Sequence, residues 1–138
     1  MAGFRFAFRE SGGAPTVLSL LFKDTETLTR GDLLNLEAGE VDLGATADAN
    51  LLGVAQQTKA GVDSTSLIEV IVDEDAVYSV TDNNARSIGD TLDVAGATGA
   101  QGVAASSNKE FVVVRKSSAT QPTLVRINQD AHAFRKAQ

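Results

Sequence analysis

His132 is the only histidine in the chain, and there is no cysteine. Serine chemistry needs a base within hydrogen-bond reach of the nucleophile. Asp130 stands two residues before His132, so an extended segment would put both on one face and let the carboxylate orient the imidazole. No Gly-x-Ser-x-Gly elbow accompanies them. His132 also lies six residues before Gln138, a place that predicts a surface tail rather than a triad. Asp73, Glu74 and Asp75, with Asp82, offer carboxylates to a hard cation. Their spacing lacks the glycine-containing loop that calcium sites favour, so a solvated turn, or contact with basic groups on a partner, is expected instead. The run Ala95-Gly-Ala-Thr-Gly-Ala-Gln-Gly102 is rich enough in glycine for a phosphate loop. It lacks the Gly-Lys-Ser/Thr ending and a following helix and reads as a flexible surface loop. Without cysteine there is no thiolate nucleophile, iron–sulfur cluster or Cys-type zinc site, and a single histidine excludes His-rich metal sites. The sequence therefore points away from an enzyme, with no catalytic, cofactor-binding or metal-binding residues and no cofactor.

The elements that carry these residues read as strands. The chain has 138 residues, enough for one ordinary domain with its own core. Aromatic residues make up only 5% against 43% hydrophobic overall, so Val, Leu, Ile and Ala must form most of that core. The net charge of -6 would repel a phosphate backbone, which argues against a nucleic-acid partner. Val17 to Phe22 is apolar but too short to span a membrane. Met1 to Glu10 has no apolar run of the kind a signal peptide needs. No membrane association is expected.

Phe4, Phe6 and Phe8 alternate with Arg5, Ala7 and Arg9, the period-two pattern of a strand with one buried face. Ser11 to Pro15 is a flexible break. Short apolar runs follow at Thr16–Lys23, Leu33–Leu36, Val41–Leu43 and Leu51–Ala55. Ser66–Val72 and Ala76–Val80, separated by the acidic Asp73-Glu74-Asp75, predict a hairpin. Glu110–Arg115 and Pro122–Ile127 predict a second pair. Short helices could fit within Thr46–Leu52 or Asn83–Ile88. Many short strands punctuated by Gly, Asp and Asn predict a mainly β domain, a sandwich or barrel.

A shift of 58 residues superposes Gly31-Asp32 on Gly89-Asp90, Leu34 on Leu92, Gly44 on Gly102, Ala47 on Ala105, Asn50 on Asn108 and Val54 on Val112. Two readings stand: two similar turns, or two related halves. Phe4, Arg5, Phe6, Phe8 and Arg9 also have two readings. They form the first strand of their own domain, or an arm that adds to a sheet edge on a neighbouring subunit. The latter makes them the candidate partner-binding residues and divides the chain into an arm and linker, 1–24, and a β-barrel domain, 25–138.

Several stretches resemble the head decoration, or cement, proteins of tailed bacteriophages. They are Thr29-Arg30-Gly31-Asp32-Leu33-Leu34, Ala45-Thr46-Ala47, Leu52-Gly53-Val54-Ala55, Ser107 to Val114, and Leu124-Val125-Arg126-Ile127-Asn128. The resemblance implies a small β-barrel or β-tulip-like domain with an extended N-terminal arm, acting as a homotrimer. The implied partners are further copies of itself and the major capsid protein. The implied place is the capsid surface of the virion, after synthesis in the bacterial host cytoplasm. Another phage component, in the tail tube or head completion, is the alternative, followed by a small β-barrel ligand-binding protein.

Overall fold

The structure, a computed structural model, describes residues 3–23, 26–48, 50–61, 65–105 and 108–136. Its strands are β1 (Phe4–Arg9), β2 (Val17–Leu21), β3 (Thr27–Leu28), β4 (Leu33–Glu37), β5 (Glu40–Leu43), β6 (Leu51–Val54) and β7 (Lys59–Ala60). They continue with β8 (Leu67–Ile71), β9 (Ala76–Val80), β10 (Thr91–Ala95), β11 (Gly102–Ala105), β12 (Phe111–Arg115) and β13 (Thr123–Ile127). A 3-10 turn, Gln129–Ala131, and one short helix, α1 (Ala133–Lys136), follow. The segments proposed for helices, 46–52 and 83–88, are turn, strand and irregular chain where described.

The fold is mainly β, and every strand ladder is antiparallel. Six strands form one sheet in the order β1-β9-β13-β12-β10-β11, and three form another, β5-β4-β6. β2 pairs with β8, and β3 with β7. None of these sheets closes into the expected barrel. β6 meets β8 at the single bridge Ala55–Val70, and β2 approaches β5 at the bridge Phe22–Val41. The strands curl around a core without a continuous ladder. One reason is local: a Cβ on Gly53 would lie 1.6 Å from the Ile71 carbonyl oxygen. β6 crosses the end of β8 at a distance only glycine allows.

The expected hairpin over 66–80 does not form. β8 and β9 lie in different sheets, and residues 72–75 carry the chain between them. Their partners do the same: β1 pairs with β9, with Arg9 opposite Ala76, and β2 pairs with β8, with Val17 opposite Ile71. The result is one long two-stranded ribbon, bent at a corner. The second expected pair does form, as β12 and β13, with Phe111 opposite Ile127.

The 58-residue shift corresponds to two related halves. Leu33 pairs with Val54 and Leu34 with Gly53; 58 residues on, Thr91 pairs with Val112 and Leu92 with Phe111. Gly31 N–H donates to Ala55 O at 2.9 Å, and Gly89 N–H to Val113 O at 2.9 Å. The return bonds, Ala55 N–H to Asp32 O and Val113 N–H to Asp90 O, are both 2.8 Å. Asp32 accepts from the Thr29 N–H, and Asp90 from the Ser87 N–H, each at 2.8 Å. Gly31 and Gly89 turn at φ +96° and +91°, the left-handed region where a side chain is strained. Strand order agrees as well: β5-β4-β6-β8-β2 in the first half matches β11-β10-β12-β13-β9 in the second, if the Ala55–Val70 bridge counts as a neighbour relation. β1 is the extra strand, added to β9.

Buried carboxylates and an amide fasten the halves together. Asp32 accepts from Thr98 Oγ1 and, at 2.9 Å, from the Gly99 N–H of the β10–β11 loop. Glu110 reciprocates, accepting from the Val94 N–H at 2.8 Å and the Ala47 N–H at 2.7 Å. Gln101, 1% exposed, accepts from Leu33 N–H at 2.6 Å and donates to Gly44 O at 2.8 Å. The larger core draws on both halves, with Leu33, Leu51 and Val54 against Leu92, Val94 and Phe111. The smaller core, around Phe22, Leu34, Val41 and Ile68, belongs to the first half. Glu110→Ala strands the buried Val94 N–H without an acceptor, a cost of about 1–3 kcal/mol. The expected outcome is a lower urea midpoint with an unchanged denaturant slope, measured by circular dichroism.

Candidate interaction surface

Phe4, Arg5, Phe6, Phe8 and Arg9 do not act together. Phe4 is 2% exposed and stacks on Phe111, with ring centroids 5.2 Å apart. Its N–H donates to Gly31 O, and Gly3 N–H to Gln101 O, both at 2.8 Å. The start of β1 is thus wedged into the seam between the halves. Phe6 packs partly buried on the same core. A β-bulge then intervenes: Phe6 lies opposite Tyr78, but Phe8 lies opposite Val77. One extra residue in β1 transfers Phe8 to the other face, where it is 40% exposed. The three phenylalanines therefore do not share a face, as strict alternation predicts. Arg5 is exposed.

Arg9 is committed to the corner of the ribbon. Its Nε lies 3.0 Å from Asp75 and 3.6 Å from Asp73. Asp75 also accepts from the Ser11 N–H at 3.0 Å and from the Ser11 hydroxyl. Asp73 accepts from the Thr16 N–H. Arg126 pairs with Glu10 at 2.6 Å beside them. The acidic run is therefore more than a solvated turn. Asp73 and Asp75 hold the two corner segments of the ribbon, 10–16 and 72–75, against each other. Burial alone would raise the Asp75 carboxyl, but hydrogen bonds from Ser11 and Arg9 outweigh it and bring it down to about 2. Asp82 lies apart from this corner. It accepts from Arg86 at 2.8 Å, Asn84 at 3.0 Å and Thr123 at 3.0 Å. These bonds outweigh its burial and hold its carboxyl well below its ordinary value. Among the described residues no group of three or more His, Asp or Glu side chains converges as a metal site.

The division at 24/25 falls on residues outside those described. Before it, β1 and β2 are both strands of this chain's own sheets. His132 is not on a surface tail but fully buried. A parallel bridge to Leu51 draws the segment against β6. Its Nδ1 accepts from the Phe134 N–H at 3.2 Å, and burial lowers its pKa. Asp130 is exposed on the 3-10 turn, with no bond to the imidazole among those seen. The glycine-rich run is the β10–β11 loop, anchored through Asp32 and Gln101 rather than free. An open depression of about 330 Å³ lies between Ala47, Asp48, Asn108, Lys109, Asn128 and Asp130, too open to enclose a ligand in the way ligand pockets do.

What the surface does present is apolar and strand-like. Val17 (42%), Leu18 (39%), Leu21 (40%) and Leu67 (44%) are exposed on the β2–β8 pair, and Phe8 is exposed on β1, across the corner of the ribbon. Sequence patterning pointed to the Phe-rich start, and the apolar run at residues 16–23 carried the signal for β2. Only the pairing partners, distant in sequence, reveal that it lies on an edge.

Fold and surface together define a mainly antiparallel β module with exposed apolar strand edges. No protein-family model matches the chain, and no curated protein matches it either.

Two expectations follow. Phe4→Ala removes a stacked core ring and lowers stability by about 3–5 kcal/mol, whereas Phe8→Ala costs less than half as much in the same urea titration. Above about pH 5, Asp75 is ionised both folded and unfolded, and its stabilisation is complete. As the pH falls towards 2, the unfolded chain takes the proton first and stability drops. Asp82 adds to the same fall. Asp75→Asn should therefore show a shallower loss of stability between pH 4 and 2 than the parent.

Proposed function

We propose that the protein is a non-catalytic structural component of a virion. It binds the outside of a bacteriophage capsid as an oligomer, a trimer on the resemblance, and stabilises the shell through contacts with the major capsid protein. The observation that carries this reading is the set of exposed apolar side chains on two outer strands, Phe8 on β1 and Val17, Leu18 and Leu21 on β2. Such an edge suits protein contacts, in which main-chain bonds supply affinity and alternate side chains supply selectivity. The stretches that carry the resemblance also include the paired Gly-Asp turn and the strands β12 and β13, which build the framework. Shell stabilisation asks only modest affinity at each contact, since valency multiplies it.

Sedimentation with capsids stripped of the protein tests the reading. The parent chain should co-sediment, and Phe8→Asp should bind at least 10-fold more weakly while melting within a few degrees of the parent. Absence of binding by the parent would sink the capsid reading. Rings or tubes of purified protein in electron micrographs would replace it with a tail component.

A further inference from the structure

We propose that the outer face of the six-stranded sheet holds a docking groove for a second copy of this chain, and that its occupant is the acid-flanked tip of that copy's β4–β5 hairpin. The proposal goes beyond the capsid reading. It uses neither Phe8 nor β2, and no capsid enters its test.

The groove is set by register. Arg5 of β1 lies opposite Ser79 of β9, Ser79 opposite Leu124 of β13, and Leu124 opposite Arg115 of β12. Residues paired across strands share a face. The neighbours of Ser79 in β9, Tyr78 and Val80, enter the core, so this row lies on the outside. Two shallow depressions follow it, of about 230 Å³ beside Arg5 and about 210 Å³ beside Arg115, and Ser79 and Pro122 line both. Among the described residues no acidic side chain lines either one. Lys116 lines the second, but its ammonium is buried 3.6 Å from Asp82. The cations at the surface of the groove are therefore Arg5 and Arg115, both exposed. On a chain of net charge -6, a groove whose charges are all positive selects an acidic partner.

The chain itself carries such a partner. Glu37 lies opposite Glu40 at the end of the β4–β5 hairpin, so both carboxylates leave one face. The next pair, Leu36 and Val41, turns to the other face, where Val41 is buried in the smaller core. Ala38 and Gly39 join the strands at φ 52° and 83°, the left-handed pair of a tight two-residue turn, and the tip is narrow. Further carboxylates stand beside it. Lys23 pairs with Asp42 at 3.2 Å. Burial above all, with Asp42 and Glu37 adding to it, pushes the Asp48 carboxyl up. Like charges directly opposite each other weaken a ladder, and the framework does not need them. At the corresponding place in the second half, Ala95 lies opposite Gly102.

The dimensions agree. Arg5 and Arg115 stand three strand spacings apart, about 14 Å. The tip is one spacing wide, about 5 Å. It fits between them, with one guanidinium reaching each carboxylate in charge-assisted bonds. Groove and tip are different surfaces, so the contact repeats head to tail and either closes into a ring or continues as a chain of copies.

Sedimentation equilibrium of the purified chain, at low and at high salt, tests the proposal. The parent should gain mass beyond two copies as its concentration rises, and high salt should reverse the gain. Glu37→Gln with Glu40→Gln, and Arg5→Gln with Arg115→Gln, should each raise the dissociation constant at least 10-fold. The tip variant carries less net negative charge, so general repulsion alone would strengthen its association instead. Glu37, Arg5 and Arg115 are exposed and Glu40 half-buried, and both variants should melt within a few degrees of the parent. Mixed in equal amounts, the two variants have one intact tip and one intact groove between them. They should pair and stop at two copies. A parent that stays monomeric at low salt, self-association indifferent to either double substitution, or an equal mixture that fails to pair or grows past two copies would each overturn the proposal.

Discussion

The fold depends on buried side-chain acceptors that cross between its two halves. Asp32 holds the loop of the second half, and Glu110 and Gln101 hold backbone of the first. Each half alone is about sixty residues, a size at which a core is marginal. Fastening them lets Leu33, Leu51 and Val54 share one interior with Leu92, Val94 and Phe111. The acceptors also satisfy N–H groups that would otherwise be buried unpaired. Burial pushes the Glu110 carboxyl up from its ordinary value, and its two N–H donors pull the other way. Cohesion between the halves thus combines a shared apolar interior with a few charge-assisted bonds across the seam.

Local patterning made much of the framework legible. β8, β9, β12 and β13 stand where apolar alternation puts them, and the Gly-Asp repeat corresponds to a real duplication of strands and bonds. Pairing was harder to read, because partners are chosen over long distances. Residues 72–75 look like a hairpin turn, yet residues 10–16 run beside them and the two segments make a corner instead. A single bulge at Ala7 undid the alternation of the phenylalanines, and nothing in the composition of Phe6-Ala7-Phe8 announces it. His132 was misplaced for a similar reason: its burial comes from a bridge to Leu51, far earlier in the chain.

The candidate surface was legible only in part. The apolar residues of β2 are visible in the sequence, but a short apolar run ordinarily means a buried strand. That it lies on an edge follows from topology. Conversely, Arg9 reads as a charge available to a partner and instead closes the corner with Asp73 and Asp75. The acidic run that could suggest a cation is neutralised by this arginine and by backbone donors. The exposed aliphatic side chains of β2 and β8 stand on a surface that also carries charge, as at Arg5, Glu69 and Arg115.

The pairing of β1 with β9 has a consequence for biosynthesis. Phe4 sits opposite Val80, so β1 must wait for a partner synthesised much later. At about 5–20 residues per second that interval is roughly 4–15 s. Through it, Phe4 and Phe6 trail on a nascent chain with no core to enter, and Phe111, the ring Phe4 stacks on, arrives later still. The sheet is completed around β1 only after β12 and β13 have been made.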